Sequence, residues 1–130
     1  MNEIRCLTLH AHWAAAIFQL GKDVENRTWP TSYRGPLAIH AGSKFDHAIC
    51  RCIGLDIGTL RTGVILGTVQ LIGVIRNSDS RWAEHGYYHW ILADPKLLDQ
   101  PLPYRGQQGL FRVSMDIAAH ASPEAGPRVR

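Results

Sequence analysis

The chain has 130 residues, 45% of them hydrophobic and 19% charged, a make-up that fits one globular domain with one sizeable core and excludes global disorder. Lys+Arg 14 against Asp+Glu 11 give a net charge of +3 and a pI near 9.0, a mild excess that permits a polyanionic partner without demanding one. Cys6, Cys50 and Cys52 form an odd set with two members close together, which argues against a disulfide framework and fits a reducing, cytoplasmic setting. The start Met1-Asn2-Glu3 has no positively charged leader pattern, and the longest apolar run, Trp13 to Phe18, is too short for a bilayer, so no membrane partner is expected.

In chain order, Ile4 to His10 reads as a short strand, and Ala11 to Leu20 as a helix with Trp13, Ile17 and Leu20 on one face and Gly21 as its terminating residue. Trp13 is expected in the core. Lys22 to Trp29 is polar but β-compatible, Tyr33 to Pro36 is turn material, and Leu37 to Ala41 is a compact strand. Ser43 is placed to cap a second helix, Lys44 to Ile53, with Phe45, Ala48, Ile49 and Cys52 as its apolar face. Val64 to Ile75 is the strongest strand signal, and Gly67 and Gly73 inside it predict bends. Tyr87 to Ala93, Leu97 to Leu102 and Gly109 to Val113 follow as strands. A loose tail is expected from about residue 116 to 130, leaving 1–115 as the domain. The pattern is mostly β with short helices (α+β), a small barrel of about six strands with two helices in its first half.

The densest chemistry lies in Gly21-Lys22-Asp23-Val24-Glu25-Asn26-Arg27-Thr28-Trp29-Pro30. Within it Lys22, Glu25, Arg27 and Thr28 set two cations, a carboxylate and a hydroxyl beside an aromatic ring, which suits a phosphate or carbonyl clamp or an acid–base pair. Strict strand alternation sets Lys22 and Glu25 on opposite faces, so they meet only if the chain departs from it. The plain alternative is a solvated edge strand with a weak surface ion pair.

This segment and its flanks resemble the ASCH domain family, within the PUA-like superfamily. Lys22, Glu25 and Arg27 match the K-x-x-E-x-R part of the G-x-K-x-x-E-x-R pattern after an amphipathic helix, with Gly21 directly before the Lys where the pattern has its Gly one place earlier. Leu37 to Gly42, the GTV around Gly67, YHWILADP and RGQQGLFRV extend the likeness over Ile4 to Val113. The resemblance implies a PUA-like β-barrel with a central cleft lined by Lys22, Glu25 and Arg27. Thr28 and Trp29 would stand at its rim, with RNA, another single-stranded nucleic acid or a nucleotide as ligand. It also implies an alternative, a small hydrolase acting on RNA or on a modified nucleoside, with Lys22 and Glu25 as the catalytic pair. Similar proteins that hydrolyse acetylated cytidine carry a Thr three residues after the Lys, where this chain has Glu25.

Trp29, Trp82, Tyr87, Tyr88 and Trp90 supply candidate stacking platforms, with Trp90 expected in the core, and Arg34, Lys44, Arg81 and Arg105 are candidate phosphate contacts. His47-x-x-Cys50-x-Cys52 has too few ligands for a zinc site, and His10-x-His12 is a weak pattern, so no metal and no cofactor is expected. The Walker, G-x-S-x-G and H-E-x-x-H motifs are absent, which argues against ATPase, serine-hydrolase and zincin activities.

Overall fold

A computed structural model describes residues 3–114 and 116. The tail expected from residue 116 onward falls outside them, apart from Asp116. The elements run β1 (Glu3–Leu9), α1 (Ala11–Gln19), β2 (Val24–Arg27), β3 (Gly35–Ala41), α2 (His47–Ile53), a short 3-10 turn (Ile57–Thr59), β4 (Val64–Ile75), β5 (Tyr88–Pro103) and β6 (Leu110–Ser114). They form one six-stranded sheet in the order β2-β5-β4-β3-β1-β6. The fold is therefore mostly β with two helices, as the sequence predicts, but the sheet is open. Its edges are the four-residue β2 and the five-residue β6, and the hydrogen-bonded ladder does not join them into a barrel. Among the described residues no helix is long and apolar enough to cross a membrane.

Only β1 and β3 pair in parallel, Leu7 opposite Ile39. A parallel pair needs a long crossover, and α1 with β2 supplies it. The strands expected at Tyr87–Ala93 and Leu97–Leu102 are one bent strand, β5. The bend is at Asp94, which takes a positive φ of 52°, followed by Pro95, which has no N–H for the ladder. Three register shifts between β4 and β5 absorb it.

Side-chain alternation makes both sheet faces apolar. Leu7, Leu9, Leu37, Ile39 and Trp90 form one core with Ala14 and Ile17 of α1, while Ile4, Cys6, Ala38, Ile65, Leu98 and Phe111 form a second. Burial in that second core pushes the Cys6 thiol up to about 12. Gly67 sits where β4 and β5 come closest: a methyl group added there would stand 2.2 Å from the Lys96 carbonyl oxygen and 2.9 Å from a ring carbon of Phe18.

The second helix begins later than the sequence suggests. Its cap is Asp46, not Ser43: the Asp46 carboxylate accepts the Ile49 N–H at 3.0 Å, and that backbone bond holds its pKa below the usual carboxylate range. Lys44 is excluded from the helix because its carbonyl accepts the Ala11 N–H at 2.8 Å. The shift also changes the apolar face. Cys50 packs against Ala15 and Leu55, whereas Ala48 and Cys52 are exposed.

Candidate functional site

The site begins at the end of α1. Gly21 takes a φ of 71°, a conformation that glycine adopts without strain, and the Lys22 N–H then returns to the Ala16 carbonyl at 3.1 Å. Lys22 thus lies in the turn before β2, outside the strand's alternation, and its side chain is free to reach the Glu25 face. The Lys22 Nζ donates to Glu25 Oε1 at 2.8 Å and to the Val24 carbonyl. Arg27, two residues on and so on the same face of β2, donates through Nη1 to Glu25 Oε2 at 3.3 Å.

Lys22 is 3% exposed and Glu25 6%, which rules out the solvated-edge reading. Two cations hold both oxygens of one buried carboxylate. An ammonium has three hydrogens, and two of those on Lys22 are committed, so one remains to offer. The ammonium also lies 5.3 Å from the centre of the Trp13 ring.

These groups line a cleft of about 350 Å³, whose walls include His10, Trp13, Asn26 and Tyr87, with Glu84 as a second carboxylate. That volume is near the lower end for small-molecule sites. Thr28 and Trp29 are not among its lining residues. Trp29 packs edge-on against Trp90 at 4.9 Å between centroids and accepts the Trp90 indole N–H through its carbonyl, with the Arg27 guanidinium over its ring. Trp13, expected in the core, packs against it while half-buried, and its remaining surface lines the cleft. Of the other aromatic candidates Tyr87 lines it, whereas Tyr88 lies under Arg76, Trp82 under Arg81, and Trp90 is fully buried.

None of the four candidate phosphate contacts lines this cleft. Arg34 is turned onto the Thr31 and Tyr33 carbonyls, at 2.8 Å each, Arg81 covers Trp82, and Arg105 is exposed. Lys44 stands by a neighbouring cavity. His47, Cys50 and Cys52 do not converge, because Cys50 faces the core while the other two are exposed.

Two residues that sequence reasoning passed over set the cleft's outer wall. Asn26 donates to the Trp82 carbonyl at 3.0 Å and accepts the Glu84 N–H at 2.9 Å, tying the segment before β5 to β2. Buried His89 accepts the Ser78 N–H on Nδ1 at 3.1 Å, so Nε2 carries the hydrogen and donates to the Glu84 carbonyl at 2.8 Å. Together they bring Glu84 and Tyr87 to the rim. A second fastening ties β1 and β3 to the segment after β5: Thr8 Oγ1 lies 3.1 Å from His40 Nδ1, and His40 Nε2 donates to the Tyr104 carbonyl at 2.7 Å. Thr8 is the only member of that set on the cleft wall.

Fold and site define a class: a small mixed-sheet domain with a charged cleft between its first helix and its edge strand. The ASCH domain family model matches residues 7–107, which takes in every residue lining the cleft, and the chain belongs to the ASCH domain family. No curated protein matches the chain at a significant level.

Proposed function

We propose that the chain is an RNA- or nucleotide-binding domain whose ligand enters the Lys22 cleft. The observation that carries this reading is the buried Lys22–Glu25–Arg27 cluster. Burying an ion pair is costly and seldom stabilises a fold by itself, so its placement in a cleft fits a recognition role. Lys22 has a hydrogen left for a base carbonyl or phosphate oxygen, Arg27 adds a second donor, and Trp13 and Tyr87 offer ring faces to a base. Asn26 is committed to the Trp82–Glu84 segment, so its part is positional.

A hydrolase acting on a modified nucleoside or on RNA is less well supported. Glu25 has both oxygens engaged by cations, so it holds charge in place and is poorly set up as a base. The test is titration of a fluorescent single-stranded RNA and of free nucleosides, at low salt, into wild type and Lys22→Met. Arg27 keeps Glu25 paired in that variant. We expect Lys22→Met to bind at least about tenfold more weakly, the equivalent of one charged hydrogen bond. Equal binding by the two proteins would overturn the proposal.

A further inference from the structure

The Lys22 cleft has a neighbour. A cavity of about 710 Å³ opens beside the start of α1 and shares His10 and Trp13 with the cleft as lining residues. Backbone docking builds it. The Gly42 N–H donates to the Leu9 carbonyl at 2.8 Å, the Ala11 N–H to the Lys44 carbonyl at 2.8 Å, and the Asp46 N–H to His12 Nδ1 at 3.2 Å. These bonds lay the segment before α2 across the helix start and present Lys44, Phe45 and His47 to the cavity.

Three features give this cavity the character of a phosphate site. First, α1 is nine residues long, its capping residue His10 makes no side-chain cap bond, and its first turn has no acidic residue, so no side chain on the helix offsets its positive end, although the Ala11 N–H is itself taken by the Lys44 carbonyl. Second, His12 lines the cavity and is 1% exposed. Its Nδ1 accepts the Asp46 N–H, so the hydrogen sits on Nε2, and that nitrogen is the buried side-chain polar atom left without a partner among the described residues. Burial, with the neighbouring His10, holds the His12 pKa below its usual value, so the ring is a neutral donor lacking an acceptor. Third, the exposed Lys44 ammonium makes no ion pair among the described residues. The one carboxylate on the wall, Asp46, is already engaged as the α2 cap.

Aromatic surface stands next to this cationic end. Phe45 and His47 lie 5.1 Å apart between ring centroids, tilted, on the same cavity wall. We propose that this cavity is a second subsite, taking the phosphodiester and the adjoining base of a strand whose first nucleotide occupies the Lys22 cleft. Lys44 holds the phosphate in the positive field of the helix start, the His12 Nε2–H donates into the same site, and Phe45 with His47 supports the next base. The substrate class is then a phosphodiester-linked single strand of two or more nucleotides, not a free nucleoside. This inference rests on reading the Lys22 cleft as the nucleotide site.

The test compares a fluorescein-labelled, mixed-sequence RNA hexamer with free nucleosides, using wild type, Lys44→Ala, Lys44→Ala/His47→Ala and Lys22→Met. Lys44 and His47 are exposed, so their removal leaves the core intact. Lys44→Ala is expected to weaken hexamer binding about tenfold and to reduce the slope of log K against log salt by about 0.7, with the double variant weaker still. Nucleoside binding should change less than about twofold, because a nucleoside has no phosphate to lose. Hexamer binding that falls in Lys22→Met but not in either Lys44 variant would overturn the second subsite alone. Failure of wild type to bind hexamer and nucleosides would overturn both readings.

Discussion

Glu25→Leu is expected to cost about 3–5 kcal/mol of folding stability, whereas the double change Lys22→Met/Glu25→Leu should cost far less. The single change leaves the Lys22 ammonium, 3% exposed, with only the Val24 carbonyl as a partner. A buried charge without its counter-ion carries its full desolvation penalty. Removing both charges replaces the pair with apolar groups of similar volume, an exchange that is often neutral. Arg27 does not repeat the problem, because its side chain is 23% exposed and reaches water. Urea unfolding of the three proteins measures both differences. A double variant as unstable as the single one would mean that packing, not charge pairing, holds this part of the fold. The double variant also gives a folded protein without the proposed ligand-binding groups.

Gly67→Ala should be similarly severe. The added methyl would stand 2.2 Å from the Lys96 carbonyl oxygen and 2.9 Å from the Leu97 Cα, and both contacts are backbone. No rotamer change relieves them. Strands β4 and β5 must separate locally, at a cost near the upper end of overpacking, about 3 kcal/mol, and a fall in Tm of roughly 10 °C. Gly73 is the internal control. It lies in the same strand, but a methyl group there meets its nearest neighbour, Ile91 Cγ1, at an ordinary 3.9 Å. Gly73→Ala should stay within about 1 kcal/mol of wild type. Thermal melts that rank the two variants equally would contradict the close strand approach at Gly67.

These two glycines also show how far the sequence could be read. Both mark register shifts between β4 and β5, as glycines inside a long apolar strand suggest, yet nothing in the sequence says which one touches backbone. That depends on Asp94 and Pro95, distant in the chain, which bend β5 toward Gly67. The bounds of β4 were legible because twelve nearly continuous apolar residues leave little choice. The start of α2 was not. Ser43 and Asp46 are both good capping residues, and the choice falls to Asp46 because Lys44 is held by Ala11.

In the site, Lys22, Glu25 and Arg27 stood out by composition, but alternation separated Lys22 from Glu25, and only the turn at Gly21 shows how they meet. Trp13 packs against the core as expected, but its part in the cleft is not legible in the sequence. Its helical spacing with Ile17 reads as core, while its position in the first turn of α1 leaves it at the junction of two cavities. The roles of Asn26 and His89 rest on bonds to the segment before β5, which carries no periodic signal.

The central claim is that ligand enters the cleft floored by Lys22 and Glu25. Its most direct test is a nitrogen-15 chemical-shift map of the protein titrated with a short single-stranded RNA. The account predicts shifts concentrated at His10, Trp13, Lys22 to Arg27 and Tyr87, with the adjoining Lys44 to His47 segment through the second subsite, absent from Lys22→Met/Glu25→Leu at the same RNA concentration. Shifts clustered elsewhere on the sheet, or an unchanged map in the wild type, would contradict it.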